Sequence, residues 1–230
     1  MPTVELRSVS KHYRSEGAGV AALDDVALSF SAGEFTALVG RSGCGKTTLL
    51  NLCGAMDFPT SGRVLIDGED TLSLGDSGLT RLRRSKIGFV FQFFQLLPTL
   101  TVAENVELPL LLSGGERPRQ RALEVLEWVN MDAYAARLPH QLSGGQMQRA
   151  AIARALVHGP KLLLADEPIG NLDTTTGNVV LELLQRAARE RGAAVIMATH
   201  SMESAAWCGR VIRLRDGKVE SDQCSNSSPA

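Results

Sequence analysis

The chain has 230 residues, with 24 Lys and Arg against 25 Asp and Glu, so its formal net charge at pH 7 is −1. The length suits one large α/β domain, and the interspersed charges lack the basic footprint of a DNA- or RNA-binding protein. Residues 1–14 lack the apolar segment of a signal peptide, and no apolar run approaches the ~20 residues of a membrane helix. We therefore expect that another chain must span any membrane at which this protein works. Its four cysteines show neither CxxC pairing nor zinc-ligand spacing, which predicts reduced thiols.

The first predicted elements are β-strands. Apolar side chains alternate over residues 4–9 and again over 26–30, as in half-buried strands. Gly17 and Gly19 predict a turn between them.

A glycine-rich loop follows a short apolar strand over residues 35–39. The loop over 40–47 has the sequence GRSGCGKT and leads into a predicted helix over 46–52, the context that a phosphate-binding loop requires. Its glycines allow the backbone to wrap a phosphate, with amide N–H groups turned inward at a helix N-terminus. Lys46 supplies a charge for the β- and γ-phosphates of a nucleotide, and the Thr47 hydroxyl can ligate Mg²⁺. The residues of this loop and helix that we predict to bind the nucleotide are Gly40, Ser42, Gly43, Cys44, Gly45, Lys46, Thr47 and Thr48.

The middle of the chain is predicted to contain a hairpin, a strand and then helices. A short strand over 64–66 ends at residues 67–68, Asp-Gly, a pair typical of hairpin turns. The strand over 87–91 ends at Gln92, and the pattern over 101–158 is helical.

Capping boxes and apolar spacing locate individual helices in that helical stretch. Thr101 with Glu104 and Ser143 with Gln146 each have the pattern of a capping box. Residues 117–130 place apolar side chains at helical spacing, and we expect these to pack together: Ala122, Leu123, Leu126 and Val129.

Two buried strands in the last third end in polar residues, at the sheet edge where α/β proteins bind ligands. The strand over 162–165 ends in Asp166 and Glu167, and the strand over 194–198 leads to His200. Asp166 can hold Mg²⁺ through water, and Glu167 can polarise the attacking water as a general base.

A helix between these two strands begins at Asp173 and ends near Gly192. Its predicted apolar face consists of Val179, Val180, Leu183, Leu184, Ala187 and Ala188. The alternation of buried strands with amphipathic helices predicts a parallel sheet with helices on its faces. Residues 220–230 are polar and predict a loose tail, so we assign one domain to residues 1–220 and a tail to 221–230.

Leu142 is followed by SGGQMQR over residues 143–149. Ser143 can cap this helix, while the amides of Gly144 and Gly145 create a second anion site at its N-terminus. The LSGGQ segment combined with the phosphate loop resembles the ATP-binding subunits of ABC transporters, and the resemblance covers nearly the whole chain. It implies that this segment of one protomer completes the phosphate loop of another, in an ATP-dependent head-to-tail homodimer.

The same resemblance implies the cofactors, ATP and Mg²⁺, and the roles of further residues. Gln92 matches the Q-loop, which touches Mg²⁺ and the attacking water, and His200 matches the histidine that contacts the γ-phosphate. Tyr13 matches the aromatic residue that stacks on adenine. The implied fold is an α/β P-loop ATPase core with a mainly parallel sheet, an N-terminal antiparallel β subdomain and a helical subdomain inserted at about 93–160.

Residues 89–101, FVFQFFQLLPTLT, with residues 104–106, ENV, resemble the LolD/MacB/FtsE branch of that family. This implies a cytoplasmic ATPase, peripheral on the inner face of the cell membrane, that docks beneath a separate permease of the MacB/FtsX-like type. Members of the branch extract lipoproteins or export peptides or macrolides. The alternative is an FtsE-like ATPase that regulates or mechanically drives an envelope complex without transport. A soluble DNA-repair or translation protein of the family is disfavoured, because the chain has neither a long coiled-coil insertion nor a tandem ATPase unit.

The sequence departs from the family pattern at three positions. Arg41 replaces a frequent proline and Cys44 a small residue, and neither change removes a phosphate-contacting amide. Cys44 is expected to confer sensitivity to thiol reagents, since a helix N-terminus lowers the pKa of a thiol. Ile169 replaces the usual threonine before the GNLD segment over 170–173, the family's D-loop.

Overall fold

The computed structural model describes residues 1–15 and 18–224. The strands in these ranges are β1 (Val4–Ser15), β2 (Ala18–Phe30), β3 (Phe35–Val39), β4 (Ser61–Ile66), β5 (Glu69–Asp70), β6 (Ile87–Phe91), β7 (Leu162–Asp166), β8 (Ala194–Thr199), β9 (Arg210–Arg215) and β10 (Lys218–Cys224). The α-helices are α1 (Lys46–Cys53), α2 (Asp76–Lys86), α3 (Val102–Ser113), α4 (Pro118–Trp128), α5 (Gly144–Leu156), α6 (Thr174–Arg191) and α7 (Met202–Ala205). Within these ranges, no helix is both long and apolar enough to cross a membrane.

The central sheet has six strands in the order β10-β9-β3-β8-β7-β6. All neighbours are parallel except the pair of β9 and β10. On β7, Leu163 and Ala165 face a core formed with the helices between β6 and β7 and with α6, while Leu162 and Leu164 face a second core. A strand covered on both faces has no polar alternation, which is why the short apolar runs correctly predict parallel strands.

A second sheet is antiparallel, with the order β2-β1-β4-β5. It encloses the second core together with α1 and α2. Its β4–β5 connection is the predicted hairpin turn, where Asp67 and Gly68 both have positive φ, 51° and 80°. Two positive φ angles suit the twist of a hairpin, and Asp and Gly tolerate them.

Three longer helices, α3, α4 and α5, lie between β6 and β7 in the chain, as the helical pattern predicts. Both predicted capping boxes are present: Thr101 bonds with Glu104, and Ser143 bonds with Gln146. Asp173 caps α6, and Gly192 ends it with a φ of 67°. These caps satisfy backbone groups that a helix end leaves unpaired.

The structure corrects some details. Residues 220–224 are not part of a loose tail, because they continue strand β10, where Arg210 donates two hydrogen bonds to Asp222 across the pair. Leu123 and Val179, expected on packed faces, are 41% and 40% exposed. Each lies at the edge of the buried face of its helix. That face covers fewer residues than the apolar positions of the sequence suggest. Gly17 of the predicted turn and residues 225–230 of the predicted tail lie outside the described residues, and Gly19 belongs to β2.

Candidate functional site

The phosphate loop joins the end of β3 to the start of α1, as predicted. Gly40, Gly43 and Gly45 have φ angles of 154°, 80° and 105°, a region that L side chains rarely adopt. A Cβ at Gly40 would overlap the carbonyl oxygen of Leu214, and one at Gly45 would overlap that of Ala22. The loop therefore requires glycine at positions 40 and 45 for both conformation and space, and at position 43 for conformation alone, since a Cβ there would meet no atom of residues 1–15 and 18–224.

Lys46 folds over this loop. Its Nζ donates hydrogen bonds to the carbonyl oxygens of Gly40, at 2.8 Å, and of Arg41, at 3.2 Å. The ammonium group is thereby placed at the mouth of the loop, where a phosphate would meet it.

Thr47 and Asp166 meet across the cleft. Thr47 Oγ1 donates to Asp166 Oδ2 at 3.1 Å. Burial raises the pKa of the Asp166 carboxyl, and the charge of Glu167 acts in the same direction, while Thr47 and Lys46 oppose the rise. A hydroxyl and a carboxylate are the hard oxygen ligands that Mg²⁺ prefers, so this donor pair fits a magnesium ion.

Glu167 follows directly, at the carboxyl end of β7. Its Oε1 lies 2.9 Å from Nδ1 of His200, and its Oε2 accepts a longer hydrogen bond, 3.4 Å, from the Thr199 hydroxyl. The His200 side chain is 74% exposed, so its ring is open to a ligand. Glu167 has a φ of 46°, in the left-handed region that a residue with a Cβ enters only at an energetic cost.

Gln92 follows β6 and reaches the same cleft. Its Nε2 donates to Asn171 Oδ1 at 3.4 Å, and Asn171 Nδ2 donates back to the Gln92 carbonyl at 3.2 Å. A Cβ at Gly170 would press on the Gln92 amide. The segment after Glu167 therefore holds the Gln92 side chain in place.

These groups line one cleft of about 440 Å³. Its lining residues are Val20, Ala22, Ser42, Gly43, Gly45, Lys46, Thr47, Thr48, Gln92, Asp166, Glu167 and His200. Sequence reasoning missed Val20 and Ala22, which form an apolar wall from β2. They could not be singled out, because small apolar residues on a strand carry no chemical signal.

Tyr13 lies beside this wall, opposite Val20 in the pairing of β1 with β2. Its hydroxyl donates to Asp57 Oδ2 at 2.7 Å, and Lys11 Nζ lies 4.9 Å from the ring centroid. Lys11 also bonds to Asp57 Oδ1 at 2.6 Å. Burial raises the pKa of the Tyr13 hydroxyl, and the Asp57 carboxylate adds to that rise. The ring is thus fixed by Asp57 and Lys11, neither of which the sequence singled out.

Ser143, Gly144 and Gly145 do not line this cleft. Ser143 caps α5 by accepting from Gln146 N at 3.3 Å. Gly145 is buried against Thr176, and a Cβ there would overlap the Thr176 methyl group. Tyr13, Gly40 and Cys44, also predicted to bind ATP, are likewise absent from the lining of this cleft. The cleft therefore brings together the other predicted residues, and the LSGGQ segment lies elsewhere on the chain.

Two of the departures from the family pattern have structural explanations. Cys44 is 6% exposed and packs in the core beneath the loop, 3.9 Å from Lys46 Nζ. That burial opposes the expected attack by thiol reagents. Ile169 packs against the core formed with α6, beside Gly177, so the apolar side chain has a packing role there.

Comparison with known proteins gives a consistent answer. Residues 23–170 match the family described as ABC transporter. The chain is 47% identical to the lipoprotein-releasing system ATP-binding protein LolD of Geobacter metallireducens, covering 95% of this chain and 98% of LolD. It is 43% identical to the macrolide export ATP-binding/permease protein MacB of Syntrophobacter fumaroxidans, covering 100% of this chain but 34% of MacB.

Solved structures agree with the sequence comparison. The ATP-binding cassette MJ0796 of Methanocaldococcus jannaschii, solved as a dimer in a post-hydrolysis state bound to ADP and Pi, superposes with a TM-score of 0.87. It is 45% identical, and the match covers 96% of this chain and 98% of that one. The chain therefore belongs to the ABC transporter family and is an ATP-binding subunit, an ATPase, of the LolD and MacB type.

Proposed function

We propose that this ATPase drives a separate membrane permease that extracts or exports a lipoprotein, a peptide or a drug-like compound. The catalytic part of the proposal rests on one observation: Lys46, Thr47, Asp166 and Glu167 converge on a single cleft at the phosphate loop. The names of the relatives support the kind of cargo, since LolD belongs to a lipoprotein-releasing system and MacB to macrolide export.

Binding of the nucleotide is assigned to the loop and its neighbours. The loop amides and Lys46 would hold the β- and γ-phosphates, and Thr47 and Asp166 would hold Mg²⁺. The bound ion would neutralise phosphate charge during hydrolysis. Tyr13 would stack on the adenine ring at the edge of the cleft.

Activation of water is assigned to Glu167. A carboxylate at the γ-phosphate end of the cleft can accept the proton of the attacking water as a general base. The 2.9 Å contact with His200 orients this carboxylate. Gln92, held by Asn171, would place the water and sense the metal.

Ser143, Gly144 and Gly145 are assigned to the partner's nucleotide. A capped helix N-terminus with glycine amides is a suitable site for phosphate, yet this one does not line its own cleft. A head-to-tail homodimer would bring it against the ATP of a second copy. The dimeric state of the MJ0796 cassette supports this arrangement.

The permease is expected to be of the MacB/FtsX-like type, which would hold this chain at the cytoplasmic face of the cell membrane. The resemblance of residues 89–106 to the LolD/MacB/FtsE branch supports that partner. An FtsE-like role without transport is the alternative outcome of the test below.

The catalytic part is tested with Glu167→Gln. The amide cannot accept the proton of water, so we expect the rate of hydrolysis to fall by about a hundred-fold or more. An ATP-bound dimer should then accumulate, and light scattering measures it. Glu182→Gln, an exposed position on α6, is the matched control and should hydrolyse ATP normally. Hydrolysis at the wild-type rate by Glu167→Gln would remove Glu167 from the role of base.

The partner is tested by purifying tagged Glu167→Gln from detergent-solubilised native membranes with ATP and Mg²⁺. Recovery of a permease, with ATPase activity of the wild-type complex stimulated by a transported compound, supports transport. A complex whose ATPase activity responds only to another protein supports the FtsE-like role. Recovery of this chain alone contradicts both.

A further inference from the structure

Gln148 is a polar side chain that is completely buried in α5, the helix that carries the LSGGQ segment at its N-terminus. Its Nε2 donates to the carbonyl oxygen of Pro168 at 2.7 Å and to that of Phe91 at 3.3 Å. These two acceptors fix the orientation of the amide, because the reversed amide would set oxygen against oxygen.

The two carbonyls belong to the immediate neighbours of residues assigned to catalysis. Phe91 ends β6 directly before Gln92, and Pro168 follows Glu167 at the end of β7. The two strands are paired, with Phe91 opposite Asp166. One side-chain amide therefore joins α5 to the backbone of both segments that carry Gln92 and Glu167 into the cleft.

The same amide also carries a cost. Gln148 Oε1 is buried without a hydrogen-bond partner among residues 1–15 and 18–224. A buried oxygen left unpaired is unfavourable, and an apolar side chain of similar size would avoid it. The two donated hydrogen bonds, rather than packing, therefore account for a glutamine at this position.

We propose that Gln148 is a positioning residue that couples the ATP cleft of its own protomer to the LSGGQ segment that this protomer offers to its partner. This inference rests on the head-to-tail dimer proposed above. A nucleotide that shifts the segment of Gln92 or Glu167 displaces a carbonyl bonded to Gln148, and α5 follows. Nucleotide bound in the cleft of one protomer thereby changes the position of the N-terminus of its α5. That N-terminus completes the cleft of the partner, so the two nucleotide sites are coupled.

The test compares two substitutions in the Glu167→Gln background, Gln148→Met and Gln185→Met. Methionine has a similar length and volume but donates no hydrogen bond. Gln185 is the matched control, because it lies on α6 and its Nε2 donates to a single carbonyl, that of Trp207, at 3.1 Å. Light scattering gives the concentration of ATP and Mg²⁺ at which half of the protein is dimeric, and calorimetry gives the Kd of the monomer for ADP.

We expect Gln148→Met to raise the ATP concentration for half-dimerisation about ten-fold or more, because α5 loses the hydrogen bonds that join it to the carbonyls of Phe91 and Pro168. The Kd for ADP should stay unchanged, since Gln148 does not line the cleft. Gln185→Met should change neither value. Dimerisation of Gln148→Met at the same ATP concentration as the control overturns the proposal, and so does a parallel loss of ADP binding, which would show a general structural role.

A second measurement needs no substitution at position 148 and covers the case in which Gln148→Met does not fold. Hydrogen exchange of residues 143–149 is followed in the monomeric chain with and without ADP. Changed protection of these amides is expected, and unchanged protection overturns the coupling. If Glu167→Gln alone never dimerises, the proposed dimer fails, and this measurement on the monomer still decides whether the cleft and the LSGGQ segment are coupled.

Discussion

Thr47 Oγ1 lies 3.1 Å from Asp166 Oδ2, although the two residues are 119 positions apart in the chain. The contact exists because β3, which precedes the phosphate loop, and β7, which ends at Asp166, flank β8 in the same parallel sheet. Parallel strands present their carboxyl ends at one edge. The loop, the carboxylate of Asp166 and Glu167 are thus assembled by strand order.

Thr47→Ala should weaken the binding of Mg²⁺. The substitution removes the Thr47 hydroxyl, which bonds to the Asp166 carboxylate. The Mg²⁺ concentration for half-maximal ATPase activity should rise about ten-fold or more. Thr47→Ser keeps the hydroxyl and should remain close to wild type. Equal Mg²⁺ requirements for Thr47→Ala and Thr47→Ser would contradict the assignment of this hydroxyl.

Tyr13→Ala should raise the Kd for ATP about ten-fold, because stacking of a base on an aromatic ring contributes ~1–3 kcal/mol. Tyr13→Phe keeps the ring and loses the hydroxyl that donates to Asp57, so its effect should be smaller. Competition binding with inorganic tripolyphosphate is the control, since this ligand has no base. A similar loss of tripolyphosphate binding by Tyr13→Ala would show that the residue shapes the loop instead.

Gly145→Ala should destabilise the protein by about 1–3 kcal/mol, the cost of overpacking a filled core. Its new Cβ overlaps the Thr176 methyl group, so the double variant Gly145→Ala with Thr176→Ser should recover most of the loss. The free energy of unfolding in urea measures both effects, with Thr176→Ser alone as control. Absence of rescue would show that the destabilisation has another origin.

Gly144→Ala should separate function from stability. A Cβ at Gly144 meets Leu172 at 3.4 Å, an ordinary van der Waals contact, so the free energy of unfolding should change little. The added methyl group lies at the helix end assigned to the partner's phosphate, and we expect ATP-dependent dimerisation of the Glu167→Gln chain to weaken. Unaltered dimerisation in light scattering would exclude Gly144 from that interface.

Asp67→Asn should reduce stability at neutral pH but not in acid. Hydrogen bonds from Lys161 and Lys86 lower the pKa of the Asp67 carboxyl below its ordinary value. A lowered folded-state pKa stabilises the protein above the unfolded-state value of about 3.9 and stops doing so as the pH falls through the folded-state pKa. Asparagine tolerates the φ of 51° at this turn. Urea unfolding at several pH values should show the difference from wild type shrinking towards acid, and a constant difference would contradict the ionic origin.

The sequence predicts the strand, glycine-rich loop and helix at one side of the cleft well, for a physical reason. The loop conformation requires glycine, and a phosphate requires lysine and threonine, at fixed spacing. The motif therefore occupies one short segment and can be recognised in the sequence. Strands β3, β7 and β8 are equally visible, since continuous apolar runs are what two-sided burial requires.

Other parts depend on contacts that no local pattern encodes. Asp57 bonds to Tyr13 from 44 positions away, and Gln148 bonds to Pro168 and Phe91 from neighbouring segments. The sequence does not reveal strand β10 over residues 220–224, because the side chains there are polar. Polar side chains are tolerated because β10 lies at the edge of the sheet and pairs with β9 alone.

Glu167 has a left-handed backbone conformation, so the residue proposed for catalysis is not the residue that would give the most stable fold. Glycine or asparagine would relax that φ of 46°, but neither offers a carboxylate to water. A library of variants selected only for heat resistance should therefore favour such replacements at position 167 and accumulate stable, inactive proteins. Selection for ATP hydrolysis would keep glutamate, at a lower free energy of unfolding.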